Sequence, residues 1–303
     1  MVGRAGAVVA GAVVVSAVTA AVLAGCASTP ESHLPACPSP AGAGPAPEPA
    51  TVTCLITTAQ GVINDEDTPP GELTEAGLRS QDAYRQLGDH PDWDAATFAA
   101  LPPPQRAQAQ HAVDAYRQLV SLAGPPSPDL PAWRVVEPLP VETLRGLYEA
   151  AQRRFGVDWT VLAGIHLVET RMGRVVGLSS AGAQGPMQFM PATWAAYGLG
   201  GNVWDPKDAI MGAANYLAAN GGRDPARLDR ALRRYNKDDR YVRAVRDYAA
   251  MMAANPRALA GLHAWRVEYR TVAGTIPLPV GYTQPARIPV NQWLATNRAA
   301  GER

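Results

Sequence analysis

Lysine is almost missing from this chain: Lys207 and Lys237 are the only two in 303 residues, so arginine carries nearly all of the positive charge. An excess of either sign is missing too, since 27 Lys and Arg balance 27 Asp and Glu. A face that grips phosphates normally unbalances that total, so a nucleic-acid partner is not expected. Cysteine is scarce, and the three present (Cys26, Cys37 and Cys54) do not have zinc-type spacing. No phosphate-cradling glycine loop and no serine elbow of the hydrolase kind occur. Of the five histidines, His33, His90, His111 and His263 fall in tether, peripheral or tail segments. His166 and Glu169 do form an H-x-x-E pair, but a metal needs more ligands than that. No metal and no other cofactor is expected, and His166 reads as a packed or hydrogen-bonded histidine.

What is present begins with a leader. Arg4 precedes an apolar run from Ala5 to Gly25, and about 20 such residues suffice to cross a bilayer. Small residues close the run, and Leu23–Cys26, "LAGC", resembles the bacterial lipobox, where the leader is removed before the cysteine and the thiol takes lipid. A plain secretory leader or an uncleaved anchor helix is the alternative. Either way the body of the protein is expected to be exported, and with lipid on Cys26 it would sit on the outer face of the cell membrane, facing the wall. Cys37 and Cys54 then remain as an even pair in an oxidising compartment, where a disulfide is the usual fate, against the alternative of two free thiols.

The pattern along the chain divides it into a leader over 1–25, a Pro/Ala-rich tether over 26–54, an N-terminal helical region over 55–130, a main domain over 131–255 and an extension over 256–303. The tether has too few large apolar residues to offset ordering, and disorder is expected there. "DAYRQL" occurs at 82–87 and 114–119, two copies that suit a helical hairpin better than a repeat array. The breaker cluster "GPPSPDLP" at 124–131 separates this region from the main domain. There, Val141, Leu144, Leu147, Tyr148, Ala151 and Phe155 recur at helical steps up to Gly156. Asp158 can cap a second helix running to about Met172 with Gly173 closing it. Asp205-Pro206 and Asp224-Pro225 start two more, and Tyr241, Val242, Val245, Tyr248 and Met252 mark a fifth. Past Pro256, Trp265, Val267 and Tyr269 alternate with charged residues and break at Ala273-Gly274, as in a short hairpin. The fold class is mainly α.

Glu169 ends the apolar stretch "WTVLAGIHLVET" on the same face as Leu162 and Ile165. A carboxyl held against apolar walls keeps its proton near neutrality and can act as a general acid. An exposed helix-end carboxylate paired with Arg171 or Arg174 is the plainer reading of this stretch taken alone. Its neighbours tip the balance: "VETRMGR" at 168–174, "SSAGAQGPMQFMPATW" at 179–194, "DPKDAIMGAANYLA" from 205 and "ALRRYN" at 231–236. Together, over about residues 140–255, these resemble the catalytic domain of bacterial lytic transglycosylases, goose-type lysozyme-like helical enzymes that cleave peptidoglycan, and the actinobacterial lipoprotein and secreted members most of all. The resemblance implies Glu169 as catalytic acid and then base. It implies Gln188 facing the substrate with Met187 on the groove floor, Ser179 (or Ser180 after a one-residue slip) near the reacting sugar, and Tyr235 with Asn236 closing the site. Thr170, Pro186 and Lys237-Asp238 depart from the commonest residues of the family. The implied partner is the peptidoglycan glycan strand, besides the membrane reached through the lipid; protein partners stay unknown. A hydrolysing muramidase, or a lipoprotein that binds glycan without cutting it, are the alternatives.

The loop "GAQGPMQFMPATW" at 182–194 has its own logic. Gly182 and Gly185 would let backbone approach a sugar where a side chain collides. Pro186 and Pro191 remove freedom before binding, and Pro191 can start a short helix through Trp194 and Tyr197. Phe189 reads as a core residue. Asp205 and Asp208 read as helix-start residues, which leaves no second carboxylate with a catalytic look.

Overall fold

Proline sets the start of helix after helix here, because a first-turn residue has no intrahelical use for an N–H and needs the backbone angle that the ring imposes. In the computed structural model, which describes residues 34–37 and 48–301, α1 (Pro49–Asn64), α2 (Pro70–Asp89), α4 (Pro103–Ala123), α7 (Pro191–Tyr197) and α8 (Pro206–Ala219) all open this way. The other helices are α3 (Asp94–Ala100), α5 (Val141–Phe155), α6 (Trp159–Thr170), α9 (Leu228–Tyr235), α10 (Asp239–Ala254), α11 (Ala258–His263) and α12 (Val290–Gly301). The fold is mainly helical, as the sequence pattern implies. The leader, Cys26 with its lipobox and residues 38–47 of the tether lie outside the described residues. Among the described residues no helix is long and apolar enough to cross a membrane.

The centre of the domain is α6. Every residue from Thr160 to Leu167 is buried, because α5, α8 and α10 all pack around this one helix. Its start follows the sequence: Gly156 ends α5 in the left-handed conformation, and the Asp158 carboxylate accepts the Thr160 N–H at 2.8 Å. Its end does not. The helix stops at Thr170, two residues early, and Arg171 and Met172 turn left-handed (φ 53° and 58°) ahead of Gly173. Two non-glycine residues in that region are held by local bonds that close the helix: the Arg171 and Met172 N–H groups donate back to the Leu167 and His166 carbonyls.

The N-terminal helices are not a separate domain. The described residues belong to one compact unit, with α4 lying along α10 and α2 against α4. The two "DAYRQL" copies meet as a helical hairpin, Arg117 of the second donating to the Leu87 carbonyl of the first at 2.9 Å. The tether is also shorter than its composition implies, since 49–54 are already the first turns of α1. Cys37 and Cys54 are joined, with Cα atoms 5.7 Å apart, and the bridge ties Leu34–Cys37 to α1 so that Leu34 packs with Ala59, Ile63 and Ala76. Closing a loop of this size removes about 3 kcal/mol of unfolded-chain entropy. Reduction, or Cys54→Ser, is therefore expected to lower the unfolding free energy by about that much in a urea titration. No change in midpoint would mean that the bridge constrains nothing.

The breaker cluster is likewise part of the structure. Strand β1 (Asp129–Leu130) pairs with β6 (Ile288–Pro289), and β2 (Arg134–Val135) pairs with β3 (Val175–Val176). The expected hairpin forms from β4 (Val267–Thr271) and β5 (Gly274–Leu278), turning through Val272 and Ala273. Leu130, Val135, Val267, Ile276, Leu278, Tyr282 and Val290 make a second, smaller core. Segments on both sides of the main domain thus build one body together, which no local pattern announces.

Candidate active site

Glu169 sits one residue from the end of α6 and is half-buried. The fully buried Tyr241, from α10, donates its hydroxyl to Glu169 Oε1 at 2.7 Å. Burial pushes the carboxyl up to about 7, and the Tyr241 hydrogen bond opposes this by favouring the ionised form; no second carboxylate contributes. The surface ion pair that the stretch alone allowed does not form. Arg171 lies over Trp265, 5.7 Å from the ring centre, and Arg174 reaches Glu137 at 3.4 Å and the His263 carbonyl at 3.0 Å.

A set of hydrogen bonds ties the 184–189 loop to the end of α6 and to α9. Thr170 Oγ1 donates to the Pro186 carbonyl at 2.6 Å and accepts the Gly173 N–H at 3.1 Å. Tyr235 donates to the Met187 carbonyl at 2.6 Å, and its ring stacks parallel to that of Tyr241. The loop closes on itself through Gln184 and Phe189, each N–H donating to the other's carbonyl at 2.8 Å. So α6, the loop, α9 and α10 converge within a few bonds of Glu169.

Several expected roles shift in this setting. Met187 is fully buried, so its side chain is not exposed to line a groove, and its carbonyl holds Tyr235. Gly185 serves its own chain: a Cβ there would overlap the Val203 carbonyl, and its φ is 72°. Gly182, by contrast, has open space around it. Gln188 is half-buried at φ 50°, with Nε2 donating to the Gly185 carbonyl at 2.9 Å and to Gly177 at 3.4 Å. Ser179 accepts the Ala183 and Ala181 N–H groups at 2.9 and 3.2 Å, so it shapes its own turn, while Ser180 is exposed. Asn236 accepts the Asp238 N–H at 3.1 Å, which fixes the turn from α9 into α10. Phe189 is core, edge-on to Trp194 and Tyr235. Asp205 and Asp208 cap and brace the start of α8.

His166 is packed, as expected, and is hydrogen-bonded to Tyr148 at 2.8 Å. Burial lowers its pKa to about 3, so it stays neutral. Among the described residues no cluster of three or more His, Cys, Asp or Glu side chains forms. The residues missed by sequence reasoning are Tyr241 and, for its role, Thr170. Tyr241 falls on the apolar stripe of α10 with Tyr248, and only the rule that a buried tyrosine hydroxyl needs a partner could have flagged it.

A helical domain that holds one shielded carboxyl near a loop fixed by its own hydrogen bonds is suited to acid–base chemistry. Residues 146–255 match the family model described as Transglycosylase SLT domain, and the flanking segments lie outside the match. Among solved structures, the Escherichia coli lytic transglycosylase Slt35 in complex with bulgecin A is similar at 18% identity, covering 67% of this chain and 92% of that one, with a TM-score of 0.34. No curated protein matches the chain.

Proposed function

We propose that this protein is a peptidoglycan lytic transglycosylase that cuts the MurNAc-β-1,4-GlcNAc bond without water, using Glu169 as acid and then as base. The observation that carries this reading is a half-buried carboxyl whose one hydrogen bond among the described residues comes from the Tyr241 hydroxyl, with burial raising its pKa to about 7. Two-carboxyl glycosidases hold their acid and partner roughly 5 Å apart or, when inverting, about 6.5 to 9.5 Å apart, whereas one carboxyl suffices when the substrate brings its own nucleophile. In the first step Glu169 gives its proton to the glycosidic oxygen and the C1–O bond breaks, releasing the GlcNAc 4-hydroxyl. In the second, the MurNAc 6-hydroxyl oxygen bonds to C1 and yields its proton to the Glu169 carboxylate. The product carries a 1,6-anhydro ring and the enzyme regains its proton. A group asked to give and then take a proton works best with a pKa near the working pH.

Gln188 with the backbone of 182–188 supports the sugar, Tyr235 braces that loop through the Met187 carbonyl, and Asn236 fixes the turn behind Tyr235. The family match over 146–255 supports the substrate class. Export and a lipid on Cys26, read from the leader sequence, would place the enzyme at the outer face of the membrane beside that substrate. The test of the reading is turnover of purified sacculi by the wild type and by Glu169→Gln.

The tyrosine gives a second handle. Its hydrogen bond lowers the Glu169 pKa, so Tyr241→Phe is expected to raise it further and to move the alkaline limb of the kcat/KM profile to higher pH. A limb that stays put or moves down would show that Tyr241 does not stabilise the carboxylate.

A further inference from the structure

We propose that a cleft of about 360 Å³ beside the Gln188 loop, lined by Trp133, Trp204 and Gln284, is a glycan subsite remote from the scissile bond. This inference deepens the reading above and rests on it. Two of its walls come from outside the family-matched residues: the strand segment at 132–134 and the tail segment at 284–285. The Gln284 N–H donates to the Trp133 carbonyl at 3.0 Å, which locks those two walls together.

Both tryptophans are anchored on the segment that leads into and carries Gln188. Trp133 lies against Gly177, where a Cβ would come within 2.8 Å of its ring, and the Gly177 carbonyl accepts from Gln188 at 3.4 Å. Trp204 follows Val203, whose carbonyl is the one that Gly185 accommodates. Its own N–H donates to the Asn202 side chain at 3.0 Å, so the backbone is held while the indole stays 44% exposed. Leu178, 53% exposed, completes an apolar face at the cleft. Trp133 is fixed from behind by edge-on contact with Tyr269 at 5.4 Å.

The exposed, held indole of Trp204, the half-buried one of Trp133 and exposed Leu178 bring three apolar side chains to one cleft. A pyranose ring fits it, because the axial C–H face of the sugar packs on an aromatic plane while its hydroxyls turn outward. The half-buried Gln284 and the exposed Arg134 line the same cleft and supply donors for those hydroxyls. A strand running from Glu169 past Gln188 would reach this cleft several sugars along, giving preference for long glycans.

The test is calorimetric titration of the Glu169→Gln protein with the GlcNAc hexamer. Adding Trp204→Ala should weaken hexamer binding about ten-fold, equivalent to about 1.4 kcal/mol. Trp204→Tyr should restore most of it by keeping a ring to stack on, and far-ultraviolet circular dichroism should be unchanged in both. Hexamer affinity unaffected by Trp204→Ala overturns the subsite alone, and so does a tyrosine variant no better than alanine. A parent Glu169→Gln protein that binds no hexamer, with a wild type that leaves sacculi intact, overturns the reading of the whole groove instead.

Discussion

Glu169→Gln is expected to cut turnover of sacculi by about a thousandfold, within the range that a positioned general acid supplies. It should do so without unfolding the protein. The sign follows from burial: the folded carboxyl titrates near 7 and an unfolded glutamate near 4.5. Between those values the folded state holds the extra proton, so stability falls as pH rises through the window and is lowest above 7, where the half-buried carboxylate is ionised. Glutamine carries no charge at any pH. The variant should therefore melt at least as high as wild type at pH 8 and lose that advantage near pH 4. Activity above roughly a tenth of wild type would remove Glu169 from the reaction, because a missing general acid does not leave that much behind. A variant that melts well below wild type at pH 8 would show the carboxylate to be a structural partner instead.

The second large effect is expected at Gly185. An alanine there faces two costs together: a left-handed backbone at φ 72° and a methyl group driven into the Val203 carbonyl, which is backbone and cannot swing aside. Gly185→Ala is expected to lose about 2 to 3 kcal/mol of stability. The loop that positions Gln188 would shift with it, so activity on sacculi should fall more than the melting temperature alone explains. Gly182→Ala is the internal comparison. Its φ is 82°, but nothing lies within 4 Å of the added carbon, so only the backbone cost of about 1 kcal/mol remains. Equal losses at the two glycines would mean that close approach to Val203 is not what the loop requires.

These two positions also show what the sequence made legible. Glu169 could be singled out because an apolar run led up to it and four spaced motifs surrounded it. The caps at Gly156, Asp158 and Asp205 were local and were read correctly. Gly185 was visible as a special residue, yet its reason was not: the chemistry of a glycine says that something comes close, and only the fold says that Val203 does. Tyr241 was hidden for the same reason, since its partner lies 72 residues away. The end of α6 was misplaced because Arg171 and Met172 hold a conformation that their own propensities disfavour, against which Gly173 was the natural stop. The second core was invisible altogether. Leu130 and Ile288 pair across most of the chain, and each looked locally like a fragment of loop.

Mass analysis of the muropeptides released from purified sacculi tests the lone-carboxyl mechanism most directly, best run in water enriched in ¹⁸O. The expected products are 1,6-anhydro sugars, lighter by one water than reducing-end muropeptides and free of heavy oxygen. Reducing-end products that carry the label would contradict it, because water, and not the sugar's own hydroxyl, would then have attacked.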